Sequence, residues 1–276
     1  MNSANTREMR MRATINGIDM SFEVSGRADA PPVVLHHPLA TNVATWDDLT
    51  AVLEPSYRVV RMDARGHGKT EAPDGPYAFE TLAADVVGLL DHLRIDKARF
   101  VGLSMGGMVG QYLGLLYPDR FHSLCLVSTT SRVPAEALSL WDERIRIASA
   151  GSLRELVEGA IARWVVPETL KSKPQVVERL KEMMLATPPK GYIGWCQAIR
   201  TLNLTDRLKE IKLPTRVIVG ALDPSTPPSA AEVIHRHITG SELVVIPGVS
   251  HMLHMEEPKS FHPHVLSWLA AHGPAA

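Results

Sequence analysis

Along the chain, short apolar, β-branched runs alternate with longer stretches whose apolar positions recur every three or four residues. That is the rhythm of βαβ units and a mainly parallel sheet. Residues 12–16 and 18–24 flank the turn signal Asn16-Gly17 and predict an opening hairpin. Residues 32–36, 57–62, 99–103 and 123–128 read as strands. Residues 79–93 read as a helix with Leu82, Val86, Leu89, Leu90 and Leu93 on one face, and 107–117 as another. The rhythm then changes: 136–150, 153–164, 175–186 and 192–201 are all helical patterns, and no strand pattern interrupts them. Alternation resumes with 215–220, 229–238, 242–246 and 258–271. The pattern predicts a core of residues 11–133 and 209–272. Residues 134–208 form an all-helical cap inserted between two strands.

Composition changes this picture little but excludes several classes. Twenty-nine Lys and Arg against 30 Asp and Glu give a formal net charge of −1, without the basic footprint of a nucleic-acid binder. The 276-residue chain can bury a substantial core unaided, and Cys125 and Cys196 suggest neither a disulfide framework nor a zinc site. The uncharged stretch 100–118 contains Gly102, Gly106, Gly107, Gly110 and Gly114 and is read as a buried strand, turn and helix, not a membrane span. The amino-terminal residues lack an apolar signal region, so the expected location is cytoplasmic. Partners reduce to a small-molecule substrate, with no nucleic acid and no membrane; a homo-oligomer is compatible with the sequence.

The most specific signal is Gly102-Leu103-Ser104-Met105-Gly106-Gly107, set between a strand and a helix. In that context Gly-x-Ser-x-Gly is a nucleophile elbow. Its tight turn needs small neighbours, and its serine stands exposed above the sheet. A serine hydroxyl is weak at neutral pH and needs a base held by an acid. Asp223 follows the strand 215–220 and His251 lies in the loop after 242–246, so Ser104, Asp223 and His251 fall in chain order at three strand ends. The strand 123–128 is followed by Thr129-Thr130-Ser131, which offers no rival acid. His254 is the nearest competitor for the base and is kept as a pocket or supporting residue. The oxyanion hole is expected from the Met105 N–H and, since Pro38 has no N–H, from that of Leu39. The paired histidines 235/237 and 262/264 lie in helical segments at spacings that do not face each other, so no metal site is assigned.

The GLSMGG elbow, the turn Asp63-Ala64-Arg65-Gly66-His67-Gly68 and the acid loop ending Asp223-Pro224 resemble the α/β-hydrolase superfamily across residues 11–268. Narrower matches resemble its 3-oxoadipate enol-lactonases: Ala72-Pro73-Asp74-Gly75-Pro76-Tyr77, Trp141-Asp142-Glu143-Arg144-Ile145, and Pro189-Lys190-Gly191-Tyr192 with Cys196-Gln197-Ala198-Ile199-Arg200. The resemblance implies the α/β-hydrolase fold, with a mostly parallel central sheet flanked by helices. It also implies a serine hydrolase without a cofactor, cleaving a small lactone or carboxylic ester. Where those lactonases carry small polar residues, this chain has His36-His37-Pro38, which marks His37 as a substrate-contact candidate. Enol-lactonases act on a lactone bearing a free carboxylate, which a guanidinium fork suits. Arg144, three residues after Trp141 on one helix face, is therefore expected to hold that group beside Trp141. Two other readings stay open: a C–C hydrolase of ring-cleavage products using the same three residues, and a hydrolase-fold ligand receptor with little turnover.

Overall fold

The computed structural model describes residues 9–273. β1 (Met9–Ile15) and β2 (Ile18–Ser25) form the expected antiparallel hairpin, turning through Asn16 and Gly17, both at positive φ. β3 (Pro32–His36), α1 (Asp47–Leu53), β4 (Arg58–Met62), α2 (Phe79–His92), β5 (Ala98–Leu103), α3 (Met105–Leu116) and β6 (Phe121–Val127) follow. Between β6 and the next strand lie only helices: α4 (Leu138–Ala148), α5 (Arg154–Trp164), α6 (Pro167–Ser172), α7 (Pro174–Ala186) and α8 (Pro189–Arg200), with short 3-10 turns. The chain closes with β7 (Thr215–Gly220), α9 (Pro228–His237), β8 (Glu242–Ile246), α10 (Leu253–Glu256) and α11 (Pro258–Ala271). Among the described residues, no helix is long and apolar enough to cross a membrane.

The strands form one eight-stranded sheet in the order β1-β2-β4-β3-β5-β6-β7-β8, antiparallel at β1·β2 and β2·β4 and parallel beyond. Crossover helices cover both faces, which is why β5 and nearly all of β6 are buried instead of alternating. On β5, Phe100 packs in the core that holds Leu82, Leu89 and Leu113 of α2 and α3, while Val101 and Leu103 join Leu53, Phe261 and Trp268 of α1 and α11 on the other face. Each fully buried side chain of this kind contributes about 1.5–3 kcal/mol of apolar burial.

Helix α3 starts two residues earlier than the pattern suggests, because the turn at Ser104 runs straight into it. Its glycines survive inside a helix because close packing leaves no room for side chains: a Cβ at Gly106 would collide with the His36 carbonyl, and one at Gly107 with the Thr129 side chain. The short helices α1, α6 and α10 had no clear periodic signal. The helical insertion leaves and rejoins the sheet side by side: Arg132 and Asn203 bridge antiparallel, Val133 N–H donates to the Leu202 carbonyl (3.1 Å), and Leu204 N–H to that of Ser131 (2.7 Å). The helical run thus begins and ends at neighbouring positions, just beyond the carboxyl end of β6.

Candidate active site

Ser104 sits at the carboxyl end of β5 with φ 55° and ψ −110°, a region that non-glycine residues rarely occupy. Such a backbone costs on the order of 1–3 kcal/mol and persists only when its surroundings fix it. Here the Ser104 N–H donates to the Val127 carbonyl (2.8 Å), the Thr129 hydroxyl donates to the Ser104 carbonyl (2.8 Å), and Met108 N–H closes the first helical turn on that same carbonyl (3.0 Å). The side chain is half-buried and opens into a cavity of about 710 Å³ that His251 also lines.

The acid and base loops are tied to each other before their side chains meet. Ala221 N–H donates to the Ile246 carbonyl (2.8 Å) and Leu222 N–H to that of Val249 (3.0 Å). Asp223, buried, then accepts at Oδ2 from His251 Nδ1 (2.8 Å) and from the Thr226 hydroxyl (2.8 Å), and at Oδ1 from the amides of Ser225 (2.8 Å) and Thr226 (3.0 Å). Burial pushes this carboxyl's pKa up. The interaction and hydrogen bond with His251, with the Thr226 amide and hydroxyl, outweigh burial and hold it below the ordinary value. An ionised carboxylate only accepts, so the His251 proton is fixed on Nδ1 and Nε2 is the basic nitrogen. Among the described residues no hydrogen bond joins Ser104 to His251, although both line one cavity. In unliganded sites such bonds are often long and tighten when substrate arrives. Thr226 was not foreseen. A threonine three residues after an aspartate is a common turn signal, and only the fold turns it toward His251 (3.3 Å to Nδ1).

The expected oxyanion amides lie in backbone whose neighbours are already bonded. Pro38 carbonyl accepts from the His37 ring (2.8 Å) and the Thr41 hydroxyl (2.9 Å), and Ala40 N–H donates to His67 Nε2 (3.0 Å). Between them, Leu39 N–H has no acceptor among the described residues, nor does Met105 N–H at the start of α3. Leu39 lines the cavity.

The expectation that His37 touches substrate is corrected. His37 is fully buried and absent from the cavity wall. Its Nε2 accepts the Ala64 N–H (2.9 Å), which fixes its proton on Nδ1, directed at the Pro38 carbonyl. Burial lowers its pKa to about 4, so it is a neutral prop under the loop that carries Leu39. His254 does not reach the cavity either: it is buried on Trp46 (ring centroids 4.7 Å apart), with Nε2 paired to the Thr45 hydroxyl (2.8 Å). Burial first, then the neighbouring His251 and His262, lower its pKa to about 3.

The helical insertion supplies the opposite wall. Trp141, Arg144, Arg163, Trp164 and Met184 line the cavity, whereas Met183 and Trp195 are core residues outside it. Arg144 lies over the Trp141 ring at 4.4 Å, a cation–π contact. Arg163 has its pKa lowered by burial first and then by Arg144, so the two guanidiniums feel each other. The neighbouring cap arginines differ: Arg146 pairs with Glu143 and Arg200 with Asp142. No carboxylate pairs with Arg144 or Arg163 among the described residues, and no Asp or Glu lines this cavity. No cluster of three or more His, Cys, Asp or Glu side chains could hold a metal ion among those residues.

Comparison with known proteins agrees with this fold. The family described as alpha/beta hydrolase fold matches residues 31–258. The chain is 32% identical to 3-oxoadipate enol-lactonase 2 of Acinetobacter baylyi, over 90% of this chain and 92% of that one. Among solved structures, the enol-lactonase from Burkholderia xenovorans LB400 superposes with a TM-score of 0.91 at 32% identity, covering 94% of this chain and 100% of that one. A hydrolase from Pseudomonas aeruginosa PA01 gives a TM-score of 0.88 at 35% identity, covering 97% and 99%.

Proposed function

The chain belongs to the alpha/beta hydrolase fold family, and we propose from its site that it is a cofactor-free serine hydrolase opening a small lactone or ester that carries a carboxylate. The observation that carries the reading is His251, held by buried Asp223, lining one cavity with Ser104, a cavity also lined by Arg132, Arg144 and Arg163 and, among the described residues, by no acid. Similarity to enol-lactonases supports the lactone or ester class.

In this reading Ser104 Oγ attacks the carbonyl carbon while His251 Nε2 takes its proton. Asp223 keeps the imidazole oriented and stabilises its charged form. The oxygen of the tetrahedral intermediate is held by the Leu39 and Met105 N–H groups, the first placed beforehand by the His37 and His67 bonds and the second by the turn at Ser104. Collapse breaks the carbonyl carbon–oxygen bond, and His251 returns the proton to the leaving oxygen, which in a lactone stays tethered to the acyl group. Water, deprotonated by His251, then releases the acid from Ser104. Each reacting role is filled by a group of the chain, so none is left for a cofactor.

We assign residues 134–208 as a cap over the site. Arg144, flattened on Trp141, binds the substrate's carboxylate, with Arg163 adding to the positive field. A panel of lactones and short esters, each with and without a carboxylate, tests the reading. Hydrolysis should favour the carboxylated members and vanish in Ser104→Ala, and a serine-directed phosphonate should label Ser104 alone. Turnover by pure, folded Ser104→Ala would overturn it.

A further inference from the structure

The group that the mechanism leaves unused is Glu256, whose side chain is fully buried although it carries a carboxylate. It ends the short helix α10, five residues after His251. Oε2 accepts the N–H of Ser250 (2.7 Å), the residue immediately before His251. Oε1 turns the other way, accepting the Val166 N–H (2.6 Å) and the Thr169 hydroxyl (3.1 Å) from the corner between α5 and α6. The same corner holds the histidine loop at two more points. Met252 N–H donates to the Trp164 carbonyl (2.8 Å), and the Ser250 hydroxyl donates to that of Arg163 (3.2 Å). Lys173, between α6 and α7, donates to the Glu256 carbonyl and pairs with Glu257.

His251 is therefore flanked by residues whose amides are both committed to this corner, one directly and one through Glu256. Arg163 and Trp164, whose carbonyls take part, also wall the cavity. Burying a carboxylate is costly unless hydrogen bonds satisfy it, and here both oxygens are spent on joining two segments 90 residues apart in sequence.

We propose that Glu256 is a positioning residue for His251, its carboxylate coupling the place of the imidazole to the seating of the cap wall. A shift of α5 and α6, as when substrate presses on Arg163 and Trp164, is transmitted to Ser250 and Met252 and so to the base between them. The proposal rests on His251 being the general base.

Glu256→Gln keeps the shape but replaces one acceptor oxygen with an NH2 donor. Whichever way the amide turns, one side of the junction faces donor to donor. With p-nitrophenyl acetate as probe, kcat should fall about tenfold to a hundredfold, the order expected for a small misplacement of a catalytic group. KM should change little, and the downfield proton resonance of the His251–Asp223 bond should shift or broaden. A role in stability alone would lower the melting midpoint and leave kcat and the resonance as in wild type; that result overturns the proposal. If Glu256→Gln does not fold, Thr169→Val removes one donor from the cap side only. It should lower kcat about threefold to tenfold and move the same resonance, less than Glu256→Gln because the Val166 N–H still holds that oxygen. No change in either would overturn the proposal. His251→Ala is the control. Full activity there refutes the base assignment itself, whereas an inactive His251→Ala beside a wild-type-like Glu256→Gln refutes only the coupling.

Discussion

On the sheet side of the cavity, Asp223 is filled with donors from Ser225, Thr226 and His251, and the loop around Leu39 is pinned by His37 and His67. On the side of the helical insertion, Arg144 and Arg163 face the same space beside Trp141 and Tyr192, with no carboxylate paired to either among the described residues. On the sheet wall the Asp223 carboxylate and the backbone around Leu39 are already held in place, with the Ser104–His251 contact still to be made. The other wall carries positive charge without a paired carboxylate among the described residues, which on the proposed function an anionic substrate would meet. On the function proposed above, the contrast assigns chemistry to the wall whose polar groups are mostly held and selectivity to the wall whose charge is left open.

The largest effect that can break this division belongs to the sheet wall. Ser104→Ala should lower kcat/KM by on the order of 10⁴ or more on charged and neutral esters alike, with His251→Ala close behind and Asp223→Asn less severe. A loss confined to carboxylated substrates would move the chemistry away from Ser104.

Next in size is Arg144→Ala. A charge-assisted hydrogen bond contributes about 1.5–3 kcal/mol, so KM for a carboxylated ester should rise roughly tenfold to a hundredfold while a neutral short ester changes little. Equal losses on both would make Arg144 a structural residue and remove the argument for an acidic substrate. Smaller again, Thr226→Val removes one of four donors to Asp223 among the described residues and should cost a fewfold to about tenfold in kcat, because the His251, Ser225 and Thr226 N–H donors remain. His254→Ala should cost least in turnover, because its ring is turned to Thr45 and away from the cavity. An inactive His254→Ala beside an active His251→Ala would reverse the assignment of the base.

A further test sharpens the contrast through stability instead of rate. Burial lowers the pKa of His36 to about 3, of His37 to about 4 and of His254 to about 3, and takes His67 well below its ordinary value. These histidines stay neutral in the folded protein, while in the unfolded chain they protonate below pH ~6.5. Their contribution is therefore fully present above that pH and is lost as the pH falls toward the folded values, at about 1.4 kcal/mol per pH unit for each. Asp63, Asp85 and Glu256, raised by burial, take up protons on the folded side and offset part of the loss. Urea midpoints should fall between pH 7.5 and 5, with proton uptake on unfolding at pH 5. Equal midpoints and no uptake would mean that the histidine props are not buried neutral groups.

How much of this was legible in the chain follows from the range of each interaction. The strand–turn–helix context of Ser104, the order Ser104, Asp223, His251 and the strandless run of residues 134–208 are local patterns. Apolar periodicity and turn residues act over a few positions, so they could be read directly. The bridge between Arg132 and Asn203, which brings the two ends of the helical run together, joins positions too far apart for any such pattern. The same holds for the histidines. Residues 36, 37, 67 and 254 look alike in sequence, and His37 reads as well for a substrate contact as for a prop.

What the sequence determined by itself was therefore the alternation that makes a mostly parallel sheet, the elbow that strains Ser104, and the strand ends that carry Asp223 and His251. Tertiary structure alone decided which polar groups were spent and which were left open. It turned His37 and His254 inward to Ala64 and Thr45, brought Thr226 onto Asp223, and left Arg144 and Arg163 without an acid. The physical reason is that a side chain's protonation and availability depend on burial and on partners far along the chain, and those are fixed only when the sheet and the helices above it close on one another.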